Sequence, residues 1–186
     1  MKVSDLKPGD VIATSKPKGF LPKAIRVFMW LWSVIHYRKI PKGKLYNHTI
    51  TVYDTPLVAE AVAKGFTVHN FKDHYSDNDL SRMVVFRLKD PLTQAEVDSL
   101  RRKLLDMSYE NIEYEIFNFF WWMIYIVSNG RWDISPKGSK QDDKVFCFEA
   151  SAMLLNAGRK GLFENPSHVN TVDLQNDERF GQIYFM

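Results

Sequence analysis

Polar and apolar residues alternate from Asn47 to Tyr53, with His48, Ile50 and Val52 on one side of the register and Asn47, Thr49 and Thr51 on the other. That is the period of an extended strand. Asp54-Thr55-Pro56 supplies turn chemistry, Leu57 to Ala63 predicts a second strand, and Lys64-Gly65 turns the chain into a third at Phe66 to Phe71. A β-meander is therefore expected. Upstream, Pro8-Gly9-Asp10 predicts a turn and Val11 to Thr14 a short strand, and downstream Arg82 to Leu88 completes the sheet. The segment between, Asp73 to Asp79, reads as a solvated loop. Leu21 to His36 is rich in aromatic and aliphatic residues and predicts a helix. Thr93 followed by Glu96 has capping-box spacing, which opens a helix running to about Met107. Ile116 to Val127, with its run Phe119-Phe120-Trp121-Trp122, reads as a buried helix, and the polar stretch Asn129 to Lys144 as a loop. After Asp142-Asp143 a last helix carries Cys147 in its first turns and stops at Gly158. The class is α+β, a central antiparallel sheet packed against helices.

A chain of 186 residues suits a single domain spanning positions 1–186. Hydrophobic residues at 45% and aromatics at 14% exclude a disordered chain. The most apolar run is too short for a bilayer core of about 30 Å, and the start, Met-Lys-Val-Ser-Asp-Leu-Lys-Pro-Gly-Asp, turns polar where a secretory signal would turn apolar. One cysteine allows no internal disulfide, so a cytoplasmic setting with a free thiol is expected. A net charge of +3 is too small to argue for a nucleic-acid partner, and none is expected. Residues 16–44 mix Lys16, Lys18, Lys23, Arg26, Arg38, Lys39, Lys42 and Lys44 with Phe20, Phe28, Trp30 and Trp32. The expected role is a helix packed on the domain with its cations in water, and peripheral contact with an anionic membrane is the alternative.

The hairpin brings the chemistry into view. With Tyr53, Asp54 and Thr55 as the loop, Val52 pairs with Pro56, Ile50 with Val58 and His48 with Glu60. An imidazole and a carboxylate then share an otherwise apolar face, where each needs a polar partner. A carboxylate bonded to one ring nitrogen orients the imidazole and leaves the other for proton exchange with a nucleophile. Cys147, near a helix N-terminus, is the candidate nucleophile, because helix dipole and imidazolium both favour thiolate. The backbone N–H groups of that helix start could hold an oxyanion. His36, His69, His74 and His168, with Asp73, Asp77 and Asp79, fit no zinc or calcium spacing, so neither metal nor cofactor is expected. Tyr109 and Tyr114 are read as packing residues.

Four ordered segments carry a resemblance: Leu6-Lys7-Pro8-Gly9-Asp10-Val11-Ile12, Asn47-His48-Thr49-Ile50-Thr51-Val52-Tyr53, Val58-Ala59-Glu60-Ala61 and Phe146-Cys147-Phe148-Glu149-Ala150. Together they resemble the circularly permuted, papain-like hydrolases of the NlpC/P60 superfamily, the YiiX/YaeF-like amidases above all, with lecithin:retinol acyltransferase-like proteins as relatives. The cysteine follows the histidine, as in the permuted branch. The resemblance implies a Cys147, His48, Glu60 triad cleaving an amide bond through a thioester, with cell-wall peptides the substrate the wider superfamily suggests. Acyl hydrolysis or transfer on a lipid, and a catalytically silent binding module of the same fold, are the alternatives.

Overall fold

The computed structural model describes residues 1–15, 20–41, 44–110, 112–114, 123–125, 128, 131–132 and 144–186. Much of the segment read as a buried helix at Ile116 to Val127, and most of the loop from Asn129 to Lys144, lies outside these residues.

A six-stranded antiparallel sheet organises the chain, with spatial order β4-β3-β2-β1-β5-β8. Its strands are β1 (Val11–Thr14), β2 (His48–Asp54), β3 (Leu57–Val62), β4 (Gly65–Asn70), β5 (Met83–Leu88) and β8 (Phe180–Tyr184). Two further strands, β6 (Glu113–Tyr114) and β7 (Lys144–Val145), form a separate parallel pair. The helices are α1 (Phe20–His36), α2 (Phe71–His74), α3 (Asp77–Leu80), α4 (Gln94–Tyr109), α5 (Cys147–Gly158) and α6 (Thr171–Asn176). Among the described residues no helix is long and apolar enough to cross a membrane.

The sheet is buried on both faces. On one, Val11, Ala13, Val84 and Phe86 pack with Ala152 and Leu155 of α5 and Leu174 of α6, while Ala59 and Ala61 meet Leu100, Leu104 and Met107 of α4. On the other, Ile12, Ile50, Val52, Val58 and Val85 close over Met1, Leu6 and Phe71. Thr49 and Thr51, the polar side of the β2 alternation, are consequently buried against α5, and hydrogen bonds to that helix replace the water they would otherwise need.

Three expectations are corrected. Asp73 to Asp79 is not a plain loop: α2 and α3 form there, because the Asn70 side chain accepts from Lys72 N–H and Ser76 and Asp79 form a capping box. The sheet does not end at β5, since β8 pairs along it from Val84↔Tyr184 to Leu88↔Phe180. The hairpin register also differs. Asp54 pairs with Leu57, so the turn is the two residues Thr55 and Pro56 rather than three, yet Val52 pairs with Val58 and Thr51 with Ala59. Tyr53 is the extra residue of a bulge. Shortening the turn by one residue alone would have put His48 and Glu60 on opposite faces, and the bulge restores the parity. Carried along the strand, the register puts Ile50 opposite Glu60 and His48 on the diagonal.

The turn before β1 owes its shape to Gly9 and Asp10. Gly9 takes φ +87°, a left-handed conformation open to glycine at little cost. The buried Asp10 carboxylate receives two bonds from Arg87, Nη2 at 2.6 Å and Nε at 2.8 Å, and a third from the Lys7 N–H at 2.8 Å.

Candidate active site

His48 and Glu60 are both 6% exposed and are hydrogen-bonded through His48 Nε2 and Glu60 Oε2. The other carboxylate oxygen, Oε1, is 2.8 Å from His69 Nε2, and the Tyr75 hydroxyl lies 3.0 Å from Oε1 and 2.9 Å from Oε2. Glu60 thus sits among two imidazoles and a phenol. Burial pushes its carboxyl up, but hydrogen bonding to His48, the positive charge on His48, and the bonds from His69 and Tyr75 outweigh burial and hold it down to about 2. The Tyr75 phenol moves the opposite way: burial, then the Glu60 charge and the bond to it, raise it far above its ordinary value, with smaller contributions from Asp79 and Cys147. It therefore stays protonated and donates. Phe71 stacks on the Tyr75 ring at 5.0 Å between centroids, and the His74 ring lies tilted by 40° against the His69 ring at 4.0 Å.

Cys147 is the first residue of α5, and Phe146 before it supplies no side-chain cap. The first turn of N–H groups is therefore not committed to a capping side chain. The thiol is buried among Met29, Trp32, Phe146, Phe148 and Val172. What fixes the helix start is a line of hydroxyls: Thr51 Oγ1 donates to Ser151 Oγ at 3.0 Å, Ser151 to Thr49 Oγ1 at 3.0 Å, and Thr49 to the Cys147 carbonyl at 2.8 Å. Thr49 is the residue after His48, so the backbone at the start of α5 is held to β2 one position from the histidine, on the sheet face that Thr49 and Thr51 share.

Of the three residues singled out from sequence, His48 and Glu60 are in direct contact, and Cys147 is tied by its carbonyl to the neighbour of His48. His69 and Tyr75 were not foreseen as part of the site. His69 was legible in principle: a two-residue turn at Ala63-Lys64 pairs Val58 with His69 and Glu60 with Thr67, which sets His69 diagonal to Glu60 on the same face. Tyr75 comes from beyond α2 and had no periodic signal. Tyr109, read as a packing residue, is instead 93% exposed.

A cleft of about 620 Å³ opens over this cluster. Buried Glu60, Thr14 and Met83 lie along it, and exposed Lys64, His74 and Arg82 border it. Among the described residues no group of three or more His, Cys, Asp or Glu side chains is placed to hold a metal ion. Comparison with protein-family models, with curated protein sequences and with solved structures gave no match.

Proposed function

We propose that this chain is a cysteine hydrolase of amide bonds, a peptidase or amidase with a permuted papain-like arrangement. The observation that carries the reading is the buried His48–Glu60 pair, completed by Tyr75 and His69, beside the start of the helix that opens on Cys147. A buried carboxylate bonded to an imidazole orients the ring and favours its charged form, which is what a general base beside a thiol requires. With Nε2 engaged by Glu60, His48 would use Nδ1 to take the thiol proton. The Cys147 thiolate attacks the carbonyl carbon, and the N–H groups at the start of α5 receive the developing oxyanion. His48 then gives its proton to the leaving amine as the C–N bond breaks. Water, deprotonated by His48, splits the thioester to the acid and returns the thiol. Glu60, His69 and Tyr75 take no proton and act as positioning residues.

The test is the rate of iodoacetamide alkylation of Cys147 across pH. A reactive thiol whose apparent pKa rises in His48→Ala is expected, and a thiol inert at every pH and unaffected by that substitution would leave only a silent binding module.

One observation favours a second reading, acyl hydrolysis or transfer on a lipid. A cavity of about 620 Å³ lined by Phe28, Met123, Ile124 and Trp132, with Ser128 and Arg131 beside them, offers the mainly apolar walls an acyl chain needs. Turnover of acylated lipids but not of peptides would decide for it.

A further inference from the structure

We propose that the cleft over Glu60 recognises a free carboxylate on the substrate through Lys64 and Arg82, so that the enzyme works beside the carboxyl end of a peptide. This rests on the hydrolase reading and names its substrate class. Lys64 lies in the turn between β3 and β4 and Arg82 immediately before β5, so the two cations stand on opposite sides of the cleft, with β2 and β1 between. Both are exposed, and among the described residues neither makes an ion pair or a side-chain hydrogen bond. Of the two carboxylates lining the cleft, Glu60 and Asp79, the second is held below its ordinary value by its bonds from Ser76 and, to a lesser degree, by the Arg82 charge, without forming an ion pair with Arg82. Glu60 is covered by His48, His69 and Tyr75, and Asp79 Oδ2 accepts from the Ser76 backbone N–H at 3.0 Å and hydroxyl at 2.8 Å. With Glu60 set against the His48 charge, Lys64 and Arg82 face one remaining carboxylate in the cleft lining, Asp79, and an anionic ligand group is what complements the surplus.

A soluble peptide fits better than a lipid headgroup. Lys64, Thr67, His74 and Arg82 stand along the cleft with exposed Val68, whereas the exposed apolar residues Val27, Trp30 and Trp132 belong to α1 and the other cavity. A volume of about 620 Å³ accommodates a few residues of peptide.

The test uses two pools of randomised N-acyl tripeptides that differ only in ending as the free acid or the carboxamide. Wild type should favour the acid pool in kcat/KM by about 10- to 100-fold, the usual worth of a hydrogen bond to a charged group. In Lys64→Gln/Arg82→Gln that ratio should collapse toward one, with circular dichroism confirming the fold. Calorimetry on Cys147→Ala gives a readout without turnover, and acid peptides should bind it more tightly until Lys64 and Arg82 are also replaced. Equal turnover of both pools by an active wild type sinks the carboxylate site and leaves the hydrolase standing. Acid-selective binding with no turnover sinks the hydrolase and leaves the site. Binding of Cys147→Ala to anionic phospholipid vesicles in preference to either pool overturns the peptide assignment, as does a failure of either assay to distinguish acid from amide.

Discussion

The Thr49 hydroxyl donates 2.8 Å to the Cys147 carbonyl, joining the strand that carries the histidine to the helix that carries the thiol. Thr49→Val preserves shape and removes the donor, leaving a buried carbonyl and the Ser151 hydroxyl short of a partner. A loss of about 1–3 kcal/mol is expected in urea unfolding, together with slower alkylation of Cys147 as the helix start drifts from His48. Unchanged alkylation would mean that the bond supports the fold alone.

Glu60 gives the stability profile an acid limb. Its folded value of about 2 lies below the ordinary 4.5, so the contribution is fully present above pH 4.5 and is lost as pH falls through about 2. Glu60→Gln should flatten that limb, and Tyr75→Phe, with one donor fewer, should shift it to higher pH. Chemical denaturation at intervals between pH 2 and 6 reads both.

Asp173 predicts the opposite slope. Burial raises its carboxyl to about 6, although bonds from Trp32 Nε1 at 2.7 Å, the Tyr37 hydroxyl at 2.9 Å and the Asn170 N–H at 2.8 Å pull it down. A group raised from 3.8 is tolerated by the fold as the neutral acid, so its contribution is present below about pH 3.8 and declines as pH rises through about 6. Asp173→Asn retains an acceptor without the charge. Its Tm should exceed that of wild type at pH 7, and the advantage should vanish near pH 3.5.

Asp10→Ala leaves the partly buried Arg87 guanidinium with the Asp5 carbonyl at 2.7 Å and takes the acceptor from the Lys7 N–H, and should cost about 1–3 kcal/mol. Asp10→Ala/Arg87→Met should recover part of that loss. Equilibrium unfolding of the three proteins measures the coupling, and additive losses would show that the pair is not coupled.

Helix and strand positions were legible because their periods and caps are local. Thr93 with Glu96 bounds α4, and β2 and β3 lie within a residue or so of their expected limits. Alternation carries parity but not partner, which is why His48 and Glu60 were placed on one face while the pairing itself was out by two residues. β8 was missed because Phe-Gly-Gln-Ile-Tyr is short and mixed, and its strand character comes from an open edge at β5. The donors around Glu60 were only partly legible, since Tyr75 arrives from another element and no spacing in the chain announces it.

The Tyr53 bulge and the short turn at Thr55-Pro56 cancel, and the cancellation governs how this hairpin can change length. A single insertion or deletion within the regularly paired stretches, His48 to Val52 or Val58 to Glu60, would turn one of the two side chains out of the site. Loss of Tyr53 itself would leave Asp54 opposite Leu57 and Val52 opposite Val58, so the hairpin can shed its bulge without touching the chemistry.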